Sequence, residues 1–293
     1  MKQALRLYGR IKSNQIILIA ILGVLVTCFI GGVNTYYGRA IISIGSDSEL
    51  GGVLMGIMLI AAGAAMYADQ TRHLNTWLST QSASRRQFFI SKVVWMIIAP
   101  IILGAAIDLF MSITIRSDNL HKVASNNLND GVELFYVASV VVLVSTIVGP
   151  IWQKIVGSFF ALVVCSSLSV GVNTISIDFR MKELVQNAEF TTLVTFIVAL
   201  LLLGASYHIV GIIGIESEHD TVRVPALRWP VVIFVFISTL FLPLNESPLT
   251  ASSFVLPVVL SVITFIFVFK PKLSWLAKIV DSIKGEKTWH YWK

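Results

Sequence analysis

The sequence predicts an all-α integral membrane protein, a polytopic bundle of about eight transmembrane helices with both termini in the cytoplasm. Three observations carry that reading. Of 293 residues, 56% are hydrophobic and only 13% charged, against roughly 25% charged in a soluble domain. The apolar residues gather in eight runs, at about 16–33, 51–68, 93–115, 134–150, 155–177, 190–214, 230–244 and 253–269. Roughly 20 such residues cross a bilayer core of about 30 Å. Lys and Arg divide unevenly between alternating connections, 17 on the side of the N-terminus and 5 on the other, which by the positive-inside rule makes that side cytoplasmic. This composition excludes an ordinary soluble enzyme, and its hydrophobicity excludes intrinsic disorder. None of the runs alternates as a barrel strand does, so each reads as a helix that satisfies its own backbone in lipid. The net charge of +6 then describes sidedness, and no nucleic-acid partner is expected.

Taken in order, residues 1–15 read as an amphipathic elbow helix on the inner leaflet, with Ala4, Leu5, Tyr8 and Ile11 at helical spacing among Lys2, Arg6, Arg10 and Lys12. The run that follows exceeds a signal-peptide core of about 7–15 residues and lacks an A-x-A site, so it reads as a retained span. Residues 16–214 hold six spans, with a long connection at 69–92 on the cytoplasmic side, a polar outer loop at 116–133 and a mixed outer segment at 178–189. A cytoplasmic linker, 215–229, leads to a two-span hairpin, 230–269. Its first run covers only about 22 Å at 1.5 Å per residue and is bracketed by Pro225, Pro230 and Pro243, which leaves a re-entrant hairpin open. Residues 270–293 read as a second amphipathic helix and a basic aromatic tail suited to lipid headgroups; membrane lipids are therefore expected partners. Cys28 and Cys165 lie inside apolar runs and read as small buried hydrophobes, so neither a disulfide framework nor a Cys-based metal site is supported.

The 69–92 connection is long for two adjacent helices. Its first half presents His73, Leu74, Trp77 and Leu78 at helical spacing, and its second half offers Ser84 as the N-cap of a helix beginning Arg85-Arg86-Gln87. Two arginines at a helix start oppose the helix dipole, so a headgroup or a docking protein is needed to justify them. Within the spans, Asp108 is a charged side chain at membrane depth, where such groups face a bundle interior or a polar route; an interhelical hydrogen bond and a part in the transport pathway both fit. His208 in the sixth span admits the same two roles. Gly23, Thr27 and Gly31, and likewise Gly157 and Ala161, form small-residue faces that favour close helix contact.

The stretch Leu78-Ser-Thr-Gln-Ser-Ala-Ser-Arg-Arg-Gln-Phe-Phe-Ile-Ser-Lys92 resembles the loop of type-2 ABC exporter permeases, in which a short coupling helix precedes a Ser-Arg-Arg-x-aromatic run leading into the third span. Gln81-Ser82 stands where the family commonly has proline, and Ser91 where it has glycine. The order of parts over residues 1–214 is also similar, with the last two spans added to a six-helix core. The resemblance implies a permease subunit without a catalytic site or bound cofactor of its own, paired with a second copy or a paralogue and with two ABC ATPase subunits that carry ATP and Mg. It also implies that His73 to Leu78 seat on the ATPase, that Arg85 and Arg86 position that junction, and that spans one and five meet the second permease. No G-x-x-x-x-G-K-[ST] phosphate loop occurs in the chain. The expected function is export of a peptide, lipid-like or drug-like substrate across the cell membrane, the bacterial plasma membrane first. The alternatives are an ion-coupled carrier using Asp108 and an intramembrane enzyme. The latter needs clustered carboxylates, an H-E-x-x-H set or a nucleophile with its base, and the sequence spaces no residues that way.

Overall fold

The computed structural model describes residues 1–36, 49–71, 74–81, 83–111, 113, 120–178, 188–213, 222–240 and 254–269. Among these residues the fold is all-helical, with one isolated bridge between Val148 and Val222 and no strand. The helices are α1 (Lys2–Tyr36), α2 (Glu49–Thr71), α3 (Leu74–Ser79), α4 (Arg85–Val93), α5 (Ala99–Met111), α6 (Leu120–Ile147), α7 (Ile151–Asp178), α8 (Ala188–Ile212), α9 (Arg228–Leu240) and α10 (Val255–Phe269). Five stretches are long and apolar enough to cross a membrane: Lys2–Phe29, Gly51–Gln70, Arg85–Met111, Leu120–Ile147 and Glu189–Ile212. Two shorter apolar helices accompany them, Pro225–Leu240 and Val255–Phe269, and the apolar stretch Ile151–Ser166 opens the longer α7. Five helices of membrane-crossing length are compatible with a multi-pass membrane protein.

Two elements differ from the sequence reading. The elbow and the first span form one helix, because Ser13, Asn14 and Gln15 between them include no proline or glycine to interrupt it. At 1.5 Å per residue its 35 residues extend about 52 Å, so its first turns reach past any bilayer core and dock on the chain itself. Ala4 and Tyr8 are buried there with Leu54, Leu78 and Phe88. Trp95 donates its indole N–H to the Leu5 carbonyl at 3.1 Å, and only the absence of a side chain at Gly9 lets that ring lie so close. The second difference is the outer loop at 116–133, which is helical from Leu120 onward. Only one face of it is buried, where Val123, Asn127, Gly131 and Phe135 recur every fourth residue of α6, while His121, Lys122, Ser125 and Glu133 are exposed.

Between α4 and α5 the helix widens into a π-helical turn, Val94–Ile98, in which the Ala99 N–H donates to the Val94 carbonyl five residues back. Pro100 explains its position. Proline offers no N–H, and its ring crowds the carbonyl four residues earlier, so a wide turn just before it spares the regular ladder a clash. Packing organises around α2, which touches α1, α5 and α6, while α8 lies along α6 and α4, and α7 carries the α9–α10 pair. Two apolar clusters follow, one joining α1, α2, α3 and α4 through Leu54, Met58, Leu78, Phe88 and Met96. The other joins α4, α6 and α8 through Val93, Ile97, Phe135, Val142 and Ala199.

Candidate functional site

The short helix α3 stands between two long helices, and its side chains divide by role. Leu78 is 2% exposed and packs with Ala4, Tyr8 and Phe88, with Leu74 partly buried beside it, whereas Trp77 is 47% exposed. The sequence reading offered Leu74, Trp77 and Leu78 alike to a docking partner. In the structure Leu78 and, in part, Leu74 hold α3 to the body, and Trp77 is the outward residue. His73 lies outside the described residues. The Thr80 hydroxyl closes the helix on the Trp77 carbonyl at 2.7 Å.

After α3, Ser84 caps α4 through a reciprocal capping box with Gln87, each backbone N–H donating to the other's side chain at 3.3 Å. The two arginines that follow find their counterpart at the carboxyl end of α8. Arg85 donates to the Ile213 carbonyl, and the Arg86 guanidinium lies 5.2 Å from the centre of the Tyr207 ring, packed against Gly211 where a side chain would collide with it. A cation is unfavourable at the start of its own helix and favourable at the end of another, with the tyrosine face adding attraction. The pair therefore latches the start of α4 to the end of α8.

At the same end of the bundle a polar network that the sequence did not reveal fastens α2. Lys12 and Asp69 form an ion pair with side chains 5% and 1% exposed; the Tyr8 hydroxyl donates to the second Asp69 oxygen at 3.0 Å, and Lys12 also donates to Gln15 at 2.7 Å. Asp69 lies in the last turn of α2, where a negative charge opposes the dipole, and Lys12 offsets it. The next residue, Gln70, donates to the Gly149 carbonyl at 3.0 Å and accepts from Lys154 at 2.6 Å. The foot of α2, immediately before α3, is thus tied to α1 on one side and to the α6–α7 turn on the other. These partners are 57 and 84 residues apart in sequence, and no local pattern pairs them.

Asp108 is 0% exposed and faces α2. Its Oδ2 lies 3.0 Å from the position a Gly51 side chain would occupy, and the Asn127 amide oxygen presses on the same position. Asn127 is itself 5% exposed, and its amide atoms make no hydrogen bond among the described residues. Gly104, one turn before Asp108, lets α5 approach Met55 of α2 so closely that a Cβ there would sit 3.1 Å from the Met55 Cα. The result is a buried polar locus of Asp108 and Asn127 at the first turn of α2, in tightly packed surroundings.

No family model, curated protein or solved structure matches this chain. Its reading rests on the chain's own geometry, which places further residues of the sequence reading. Gly23 and Thr27, assigned by resemblance to an interface with a second permease, face inward: a Gly23 Cβ would lie 2.9 Å from Met58, and Thr27 is buried with its hydroxyl on the Gly23 carbonyl at 2.8 Å. Gly157 likewise faces Val144 of α6, with 3.2 Å available for a Cβ, and Ala161 one turn on is partly buried. Small residues serve here to bring the chain's own helices together. The side chain at position 31 lies outside what is described, as do residues 179–187 and 270–293. His208 is on an exposed face of α8. Among the described residues no three His, Cys, Asp or Glu side chains gather as a metal site would require.

Proposed function

We propose that this chain is the transmembrane permease subunit of an ATP-driven ABC exporter. The observation that carries the reading is α3: a six-residue helix anchored to the bundle by Leu74 and Leu78, presenting Trp77, and followed at once by the Arg85–Arg86 latch to α8. A separate ATPase seats on Trp77 and its surroundings, and its movement is delivered to α2 through the foot fastened at Asp69 and Gln70, and to α4 and α8 through the arginines. In this reading the chain has eight spans, a six-helix core with a C-terminal pair, both termini in the cytoplasm of a bacterial cell, and assembles with a second permease and two ATPase subunits that bind ATP and Mg. Since Gly23 and Thr27 pack inside the chain, the second permease meets the larger side chains of α7, with Ile155, Phe159 and Val163 exposed on one face. The substrate is a peptide, a lipid-like or a drug-like molecule.

The test is co-purification with the ATPase subunit encoded nearby and measurement of permease-stimulated ATP hydrolysis. Trp77→Ala abolishes the stimulation while the protein stays monodisperse. Transport in proteoliposomes that contain no ATPase overturns the proposal. A second reading, an ion-coupled carrier, is favoured by one observation, the burial of Asp108 beside an Asn127 amide that makes no hydrogen bond among the described residues. It requires that Asp108→Asn abolish such ATPase-free transport.

A further inference from the structure

Away from α3, the starts of α7 and α9 come together at one corner of the bundle. The backbone at Val222 pairs with Val148, and the Arg223 N–H donates to the Ile147 carbonyl at 2.8 Å, which fixes the segment leading into α9 against the turn leading into α7. The carboxyl end of α10 brings the two helix starts to the same level. Trp152 of α7 meets Phe267 edge-on at 5.9 Å, and Trp229 of α9 meets Phe269 at 5.0 Å. Both indoles are nevertheless exposed, at 60% and 59%.

We propose that this corner, where the backbone at Val222 and Arg223 is fixed against the turn before α7 and Arg228 opens α9, binds the phosphate of a membrane phospholipid headgroup. The first turn of a helix holds N–H groups without intrahelical acceptors and the positive end of the dipole, an arrangement suited to phosphate. In α7 those groups belong to Ile151, Trp152 and Gln153, the Lys154 N–H being taken by the Pro150 carbonyl at 3.0 Å. Two further observations ask for a ligand here. The Arg228 Nε–H is buried and has no hydrogen-bond partner among the described residues, and the same holds for the Gln153 amide oxygen, on a side chain only 4% exposed. A phosphate oxygen supplies the acceptor that Arg228 lacks, in the charge-assisted geometry guanidinium favours. A headgroup hydroxyl or ammonium supplies the donor that Gln153 lacks. The flanking pair Trp152 and Trp229 selects a lipid over a free phosphate, because exposed indoles seated on an apolar helix end are the residues that settle at the headgroup layer.

The experiment uses the full chain purified in detergent, with native mass spectrometry to follow phosphatidylglycerol, phosphatidylethanolamine and, as a phosphate-free control, diacylglycerol. Both phospholipids are retained and diacylglycerol is not. Arg228→Gln weakens retention by about tenfold or more, as expected for loss of a hydrogen bond to a charged group, whereas Lys2→Gln, the same loss of charge elsewhere, changes it by less than about threefold. Equal losses in the two variants, equal retention of diacylglycerol, or displacement of the lipid by inorganic phosphate at similar concentration overturns the proposal. Should Arg228→Gln not fold, the unaltered protein still answers. Brominated phosphatidylglycerol quenches its tryptophan fluorescence beyond equally brominated diacylglycerol, and Trp152→Phe with Trp229→Phe removes the excess; no excess overturns the site. Neither ATPase nor transported substrate enters these measurements, so they stand apart from the permease reading.

Discussion

The Lys12–Asp69 pair gives the sharpest energetic test of how α2 is held. Replacing Lys12 by Met keeps the aliphatic stem but leaves the Asp69 carboxylate, on a side chain 1% exposed, with the Tyr8 hydroxyl as its remaining partner among these groups. Removing one member of a buried pair costs about 3–5 kcal/mol, because the partner's charge stays desolvated; at these exposures water offers no relief. Asp69→Asn is milder, about 2 kcal/mol, since the amide still accepts from Tyr8 and Lys12 keeps Gln15 at 2.7 Å. The double variant Lys12→Met with Asp69→Asn contains no stranded charge and loses less than the two singles together, with a coupling energy of about 1–3 kcal/mol. Equilibrium unfolding in mixed micelles, followed by the helical circular-dichroism signal, measures all four proteins. Additivity within about 0.5 kcal/mol, or a loss below about 1 kcal/mol for Lys12→Met, would refute the reasoning.

Three further outcomes follow from the packing. Gly104→Ala drives a methyl group toward the Met55 backbone and destabilises the protein by about 1–3 kcal/mol, seen in the same unfolding assay, while Gly63→Ala, which meets open space, is neutral or slightly stabilising. Ser84→Ala removes half of the capping box and costs about 1 kcal/mol; Ser84→Asp restores most of it. Gly211→Leu displaces the Arg86 guanidinium from Tyr207. Limited proteolysis with trypsin then cleaves after Arg85 or Arg86 faster than in the parent, and an unchanged cleavage rate there argues against the latch.

The apolar stretches were legible because lipid-facing helices spend little of their surface on polar residues, and the long described helices fall where hydropathy puts them. The helical course of residues 120–133 was not read, since a sum over the segment is polar even though Val123, Asn127, Gly131 and Phe135 share one buried face. A search for a four-residue repeat would have found it. Arg85 and Arg86 were singled out because they offend their own helix, but their partners, the Ile213 carbonyl and Tyr207, lie more than a hundred residues away. The glycines and Thr27 showed that close contacts exist without showing with whom, as a small residue looks the same against its own chain as against another. Lys12 and Asp69 stand 57 residues apart, and only tertiary packing turns them into a buried pair.

The π-helical turn at Val94–Ile98 has a geometric consequence for the whole third span. A wide turn accommodates one residue more than the regular winding, and a single residue corresponds to about 100° of azimuth at 3.6 residues per turn. The span is in effect two rods joined by a fixed phase offset, the lower one aiming Arg85 and Arg86 at α8 and the upper one aiming Asp108 at α2 and α6. Deleting one residue inside the turn would re-phase the rods, so that with the arginines held in place Asp108 would swing about 100° off its present heading and out of its buried seat.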